Sequence, residues 1–311
     1  MFWSLYLPLA GNGINILLLF GLGGAVGFLS GLFGVGGGFL MTPLLIMAGI
    51  PSTVAAASDS NQIVAASTSG SYAHYRLGNV DFKMGIILIL GGILGGTMGV
   101  YLIKGLRALG NADFVIKITY VIMLGLIGGY MFVESLQSMR KKPVEVKRVE
   151  AEPGKVSLYN RMVQALPYQM HFEKSGVTLS PVLPLILGVF VGILAAIMGV
   201  GGGFIMVPVM VYMLRMPMHV VVGTSLLQIL FTCINVTIMQ SYTNHTVDMV
   251  LAIILLLGST LGAQFGVRLS RRLKADQLKI LLASIVLIVM IQMLASLLIS
   301  PDLLLAHKGG H

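Results

Sequence analysis

Charge is scarce in this chain. Of its 311 residues only 10% are Asp, Glu, Lys or Arg, where a soluble domain carries about 25%. So few charges cannot clothe a water-facing surface, and a soluble globular protein is excluded. Cysteine is scarcer still. The single Cys233 excludes an intrachain disulfide and any cysteine-based metal cluster. Catalytic signatures are missing too. There is no HExxH and no GxSxG, and neither glycine-rich run continues into Gly-Lys-Ser/Thr, so zinc-protease, α/β-hydrolase and phosphate-loop patterns are absent. His74, His171, His219, His245 and His307 are scattered. The pattern is not that of an enzyme, and no metal or cofactor is expected. The first residues, MFWSLYLPLAG, carry no basic region, so no cleaved signal peptide is expected.

Apolar sequence is what the chain has in quantity. Hydrophobic residues make up 56%, and runs such as 14–33, 86–102 and 278–299 reach the roughly 20 residues that span a bilayer. The chain therefore reads as a multi-pass integral membrane protein. The net charge of +9 raises the question of nucleic acid. The basic residues, however, gather at the ends of apolar runs and in the loop 134–181, where they set topology and meet anionic lipid.

One motif occurs twice. GVGGGF stands at 34–39 and again at 199–204, and each copy is followed by a proline at the same distance, Pro43 and Pro208. The correspondence continues beyond the glycines. Gln62 answers Gln228, Asn79-Val80-Asp81 is echoed by Thr246-Val247-Asp248, and LGGILGGTMGVYL (90–102) matches LGSTLGAQFGVRL (257–269). The sequence thus predicts an all-α membrane protein of two internal repeats, 1–134 and 182–311, joined by a cytoplasmic linker at 135–181. Each repeat holds four segments: 14–50, 54–73, 84–103 and 114–133, then 182–215, 219–240, 247–268 and 277–299. The first segment of each is broken at its glycines, because four glycines in five residues carry almost no helix propensity. Backbone that leaves the helix at membrane depth is tolerated only where protein buries it or where it lines a cavity. About 11 residues follow the first break, and 11 helical residues rise about 16 Å, half a bilayer core. A re-entrant or broken hairpin plus three spanning helices is the expected unit.

Charge distinguishes parallel from inverted repeats. With the loop 134–181 in the cytoplasm, inverted repeats place 15 of the 20 Lys and Arg inside, and parallel repeats place 11 inside. The positive-inside rule favours inversion. Glycines spaced by four, at Gly91, Gly95 and Gly99 and at Gly258, Gly262 and Gly266, predict close helix packing in lipid. Within the linker, HFEKSGVTL (171–179) has the composition of a small hairpin turning at Ser175-Gly176. A solvated connector is the favoured reading of that stretch.

The breaks are where chemistry is expected. The first N–H groups of a half-helix that follows a break have no intrahelical partner and lie at the positive end of its dipole. Two such ends brought together by inverted symmetry make an anion site. Pro43 and Pro208 are expected in or near the first turns. The candidate binding residues are Gly36, Gly37, Gly38 and Phe39, and their counterparts Gly201, Gly202, Gly203 and Phe204. Polar residues on the following segments join them: Ser58, Asn61 and Gln62 in the first repeat, Thr224, Ser225 and Gln228 in the second. Interhelical hydrogen bonding is the competing account of these side chains. Asp59 is an ionisable residue inside a span, a functional hypothesis by default. It is assigned to a coupling proton or cation, against the alternative of a wet boundary position.

The order of these motifs resembles the TauE/SafE family of sulfite and organosulfonate transporters. The resemblance rests on 34–45, Pro51, 58–71, RLGNVD at 76–81 and 91–99, and in the second half on 199–209, Pro217, Gly223-Thr224-Ser225 and 247–266. It covers the chain apart from 134–181 and the termini. It implies secondary transport of a small sulfur-containing anion across a bacterial inner membrane by alternating access, with lipid, the anion and a coupling ion as partners. A homo-oligomer is compatible with it. The family commonly has Gly-Thr-Ser on both polar helices, and this chain departs from it with Ala57-Ser58-Asp59 in the first. Two rivals stay open: an anion channel using the same helix ends, and a non-transporting membrane scaffold.

Overall fold

The structure, a computed structural model, describes residues 4–7, 12–33, 38–140, 168–270 and 275–299. A two-stranded hairpin, β1 (Ser4–Leu7) and β2 (Asn12–Asn15), leads into α1 (Ile16–Phe33). The helices α2 (Gly38–Met47), α3 (Ser52–Arg76), α4 (Phe82–Ala108) and α5 (Ala112–Arg140) follow. A second hairpin, β3 (Met170–Phe172) and β4 (Val177–Leu179), leads into α6 (Val182–Met198). Next come α7 (Gly203–Pro208), a π-helical turn (Val209–Met213), α8 (Met218–Asn244), α9 (Met249–Ser270) and α10 (Ala275–Ile299). The chain is mostly helical, compatible with the all-α expectation, with two short hairpins of three- and four-residue strands in addition. The linker expectation needs correcting. α5 runs past residue 134 to Arg140, and 171–179 is a paired, docked hairpin with Phe172, Ser175 and Leu179 buried.

Local chemistry sets the turns. Asp81 caps α4 by accepting the Met84 N–H at 3.1 Å, and Asp248 takes the Val250 and Leu251 N–H groups at 3.1 Å each. These are N-cap contacts of the ordinary kind. Gly49, φ +88°, ends α2, and at the corresponding place after the π turn Arg215 takes φ +54°.

Four helices among the described residues are long and apolar enough to cross a membrane: Phe82–Ala108, Ala112–Tyr130, Met218–Asn244 and Met249–Gly266. Their faces are arranged inside out relative to a soluble protein. On α4 the glycines Gly91, Gly92, Gly95, Gly96 and Gly99 are buried, while Ile86, Leu90, Leu94 and Met98 face outward, each more than half exposed. Small residues inside and large aliphatics outside is what a lipid surround favours. α3 is 25 residues long but polar, and it is not among those four. It packs against α2, α8 and α9, and its residues 54–60 are all buried, so protein rather than lipid surrounds that part.

Helix directions follow from which residues meet. Gly91 lies against Leu185 and Gly188, Gly95 against Val189, and Gly99 against Ile193 and Ala196. Both sets of numbers rise together, so α4 and α6 run parallel. In the same way Gly23 meets Leu255 and Gly27 meets Ser259, which makes α1 and α9 parallel. By contrast α3 and α8 run antiparallel, with Gly70 on Leu226 and Ile63 clustered with Ile229 and Cys233. So do α5 and α10, with Gly125 on Met290 and Gly128 on Val286.

Candidate functional site

The helix starts that follow the two glycine runs come together. Phe39, at the start of α2, and Phe204, at the start of α7, stack with ring centroids 4.5 Å apart and planes 14° from parallel. Both are buried. Gly36 and Gly37 lie outside the described residues. The second break is fully described. Gly199 closes α6 with φ +73°, and Gly201 and Gly202 stay left-handed at +69° and +77° before Gly203 opens α7. An L side chain rarely adopts such angles. The carbonyl of Gly202 accepts the Ile205 and Met206 N–H groups at 3.1 and 2.7 Å.

The prolines sit later than expected. Pro43 falls in the second turn of α2, and Pro208 ends α7. There each removes the N–H that would meet the carbonyl four residues back, which belongs to Phe39 or Phe204. After Pro208 the helix loosens into the π turn, where the Leu214 N–H reaches back to Val209 at 3.2 Å.

α3 brings Asp59 to the first break. The carboxylate is wholly buried. Its Oδ2 accepts the Thr42 hydroxyl of α2 at 2.9 Å, and the same oxygen would stand 3.4 Å from a Cβ placed on Gly38. Its Oδ1 has no hydrogen-bond partner. One residue on, Ser60 donates to the carbonyl of Gly199 at 3.3 Å, and the Tyr120 hydroxyl of α5 donates to that of Met198. First-repeat side chains thus cap the end of α6. Gly201 is closed in by Cys233, Ile229 and Ile63.

The other polar candidates divide into two groups. Ser58 and Thr224 are engaged in matched contacts. The Ser58 hydroxyl accepts the Asp248 N–H at 3.2 Å, and the Thr224 hydroxyl accepts the Asp81 N–H at 3.0 Å. Each polar helix therefore holds the helix start of the opposite half. Ser225 donates to the Val222 carbonyl of its own helix at 3.1 Å. Gln62 and Gln228 differ from these. Both are buried with Oε1 unpartnered, while Gln228 Nε2 donates to Thr232 at 2.9 Å beside Gly92 of α4. Asn61 is half-buried. The structure thus gathers Gly38, Phe39, Asp59 and Phe204 with Gly201 nearby, and leaves Ser58 and Thr224 at the helix starts. Sequence reasoning missed Thr42 and Tyr120. A lone Thr in an apolar half-helix was the available signal for the first, and nothing marked the second.

Two buried helix starts that follow glycine runs and meet beside unpartnered polar atoms, inside a bundle with aliphatic outer faces, define an integral membrane protein with buried polar groups at its centre. The family model of the sulfite exporter TauE/SafE matches residues 19–293, and the chain belongs to that family. It is 27% identical over 273 residues to the "Probable membrane transporter protein YjnA" of Bacillus subtilis (strain 168), covering 88% of this chain and 96% of that one. To the "Probable membrane transporter protein YunE" of the same organism it is 23% identical over 292 residues, covering 90% and 98%. A shorter likeness, 30% over 91 residues, joins it to the "Sulfite exporter TauE/SafE family protein 5" of Arabidopsis thaliana, covering 29% and 20%. No solved structure matches. Family and relatives together make this a membrane transporter rather than an enzyme.

Proposed function

We propose that the protein is a secondary transporter that carries a small sulfur-containing anion, sulfite or an organosulfonate, across a bacterial inner membrane by alternating access of two inverted repeats. The stack of Phe39 on Phe204 carries this reading, because it joins the two glycine breaks at one place. Inversion is supported by the helix directions. Corresponding helices, α3 with α8 and α5 with α10, run antiparallel, while α1 pairs in parallel with α9 and α4 with α6. Repeats inverted in the membrane have this relation. Bound substrate lies beside the breaks, against the backbone N–H groups at the starts of α2 and α7; Gly201 and Gly202 are closed in by protein, and the candidates Gly36 and Gly37 lie outside the described residues. Gln62 and Gln228 turn toward it. A side-chain amide presents two donors on one edge, and the unpartnered atoms, Oε1 of both glutamines, call for a donor, which a water bridging to the anion supplies. Asn61 and Ser225 line the same helices. A channel is the weaker reading, since stacked rings fill the place where the breaks meet.

The test is a thermal-shift series on purified protein in detergent with sulfite, sulfate, thiosulfate, taurine, sulfoacetate and carboxylate isosteres. A ligand of the native state raises the apparent melting temperature, by about 2.7 kcal/mol of stability at a hundred times its Kd. The expected result is stabilisation by a sulfur oxyanion over its carboxylate isostere, lost in Gln228→Ala. Absence of any shift, together with absence of uptake of every member of the series into proteoliposomes, would sink the anion reading.

A further inference from the structure

Resting on the reading as a secondary transporter, we infer that Asp59 and Thr42 form a single proton-carrying site, present in the first repeat alone, that couples substrate movement to the proton gradient. Four observations lead there. Asp59 is wholly buried, yet among the described residues it makes no ion pair. Thr42 donates to Oδ2 and thereby leaves Oδ1 as the free position, which no other group meets. The titratable groups facing the carboxylate are the Tyr120 phenol on α5 and the Cys233 thiol on α8, neither of them a cation. The mirrored positions in the second repeat hold Val207 and Ser225, which bind no proton.

A proton fits this place better than a metal cation. A bound cation needs a shell of several oxygens. The nearby carbonyls of Met198 and Gly199 already accept from Tyr120 and Ser60, and Oδ1 stands alone. A bare carboxylate inside a membrane protein is costly, and one proton removes that cost. The cycle balances simply. With the site open to one compartment, Oδ1 takes a proton from water and the carboxylate becomes a neutral acid. The neutral acid tolerates the closed, water-free state. When the site opens to the other compartment the proton leaves to water there. Asp59 is adjacent to Gly38 at the first break, so its charge bears directly on the element expected to move.

Two measurements on the full chain decide it. In lipid, infrared difference spectra across a pH titration should show one protonated buried-carboxyl band that vanishes in Asp59→Asn and shifts in Thr42→Val, which removes the hydrogen bond and keeps the acid. In proteoliposomes with an internal pH dye, labelled sulfoacetate should accumulate with concurrent proton movement. For one proton moved with one charge-compensated anion, accumulation should rise about tenfold per pH unit imposed. In Asp59→Asn the gradient should no longer drive accumulation, and sulfoacetate exchange should lose its pH dependence. Sulfoacetate transport without proton movement in the unaltered protein would overturn the coupling site and leave the transport reading standing. If sulfoacetate does not move at all, the flux assay is run with whichever member of the series is taken up, and the infrared titration decides the proton site on its own. A band unaffected by Asp59→Asn, or no band, overturns it.

Discussion

At the scale of single residues, the glycines separate into those that have no room and those that do. A Cβ on Gly95 would fall inside the backbone of Val189, and one on Gly27 inside that of Ser259, whereas Gly129 faces open space. Gly95→Val forces α4 and α6 apart, and overpacking of this kind costs about 1–3 kcal/mol or more. Gly129→Ala should stay within about 0.5 kcal/mol of the parent. Thermal unfolding in detergent measures both, and equal stability of the two variants would refute the packing account. The glycine stripes were legible because spacing alone predicts a shared face. The partners of Ser58 and Thr224 were not, because a sequence gives the face on which a hydroxyl lies and not the backbone N–H it will meet across the bundle.

Secondary-structure elements are tied to one another by those same hydroxyls. Ser58 holds the start of α9 and Thr224 the start of α4. Ser58→Ala and Thr224→Val should each cost about 1 kcal/mol, and the double variant about the sum, because the contacts share no partner. A double-variant loss well beyond additivity would show that the two contacts act as one unit. The breaks were legible as elements because GVGGGF is repeated. The hairpin at 170–179 was underestimated, since three-residue strands carry little pattern. What fixes it is distant in sequence. Ser175 gives its N–H and hydroxyl to Asp81 Oδ2 at 3.1 and 2.5 Å, Lys174 reaches the Gly78 carbonyl at 3.0 Å, and Lys83 pairs with Glu173 at 3.2 Å.

For the whole molecule, the helix directions give a sided prediction. α4 separates the 77–81 turn from the 109–111 turn by its full length. The 77–81 turn carries the docked hairpin, and the 109–111 turn lies by Asn244, whose carbonyl accepts from Arg107 at 2.7 Å. In a Cys233→Ala background, single cysteines at Leu77 and Glu173 should react with an impermeant thiol reagent from one side of the membrane. Cysteines at Leu109 and His245 should react from the other. Labelling of Leu77→Cys and Leu109→Cys from the same side would contradict the topology. The distribution of Lys and Arg in the sequence favours inverted repeats, because charge reports the sides of a membrane. The approach of the two breaks was expected from the repeated motif, but the stacking of Phe39 on Phe204 that joins them was not, because a sequence does not say which side chains meet.

The docking of Ser175 on Asp81 has a consequence for how the chain is made. Asp81 emerges from the ribosome 94 residues before Ser175. Until then, the carboxylate at the head of α4 lacks both donors that the hairpin brings to Oδ2, and the turn it anchors is unfinished. The first half therefore completes its own fold only with a piece of the second, and the hairpin works as a clasp that shuts late in synthesis. Two separately expressed halves, divided within 141–167, should recover the assembled protein when co-produced. The first half produced alone should be degraded.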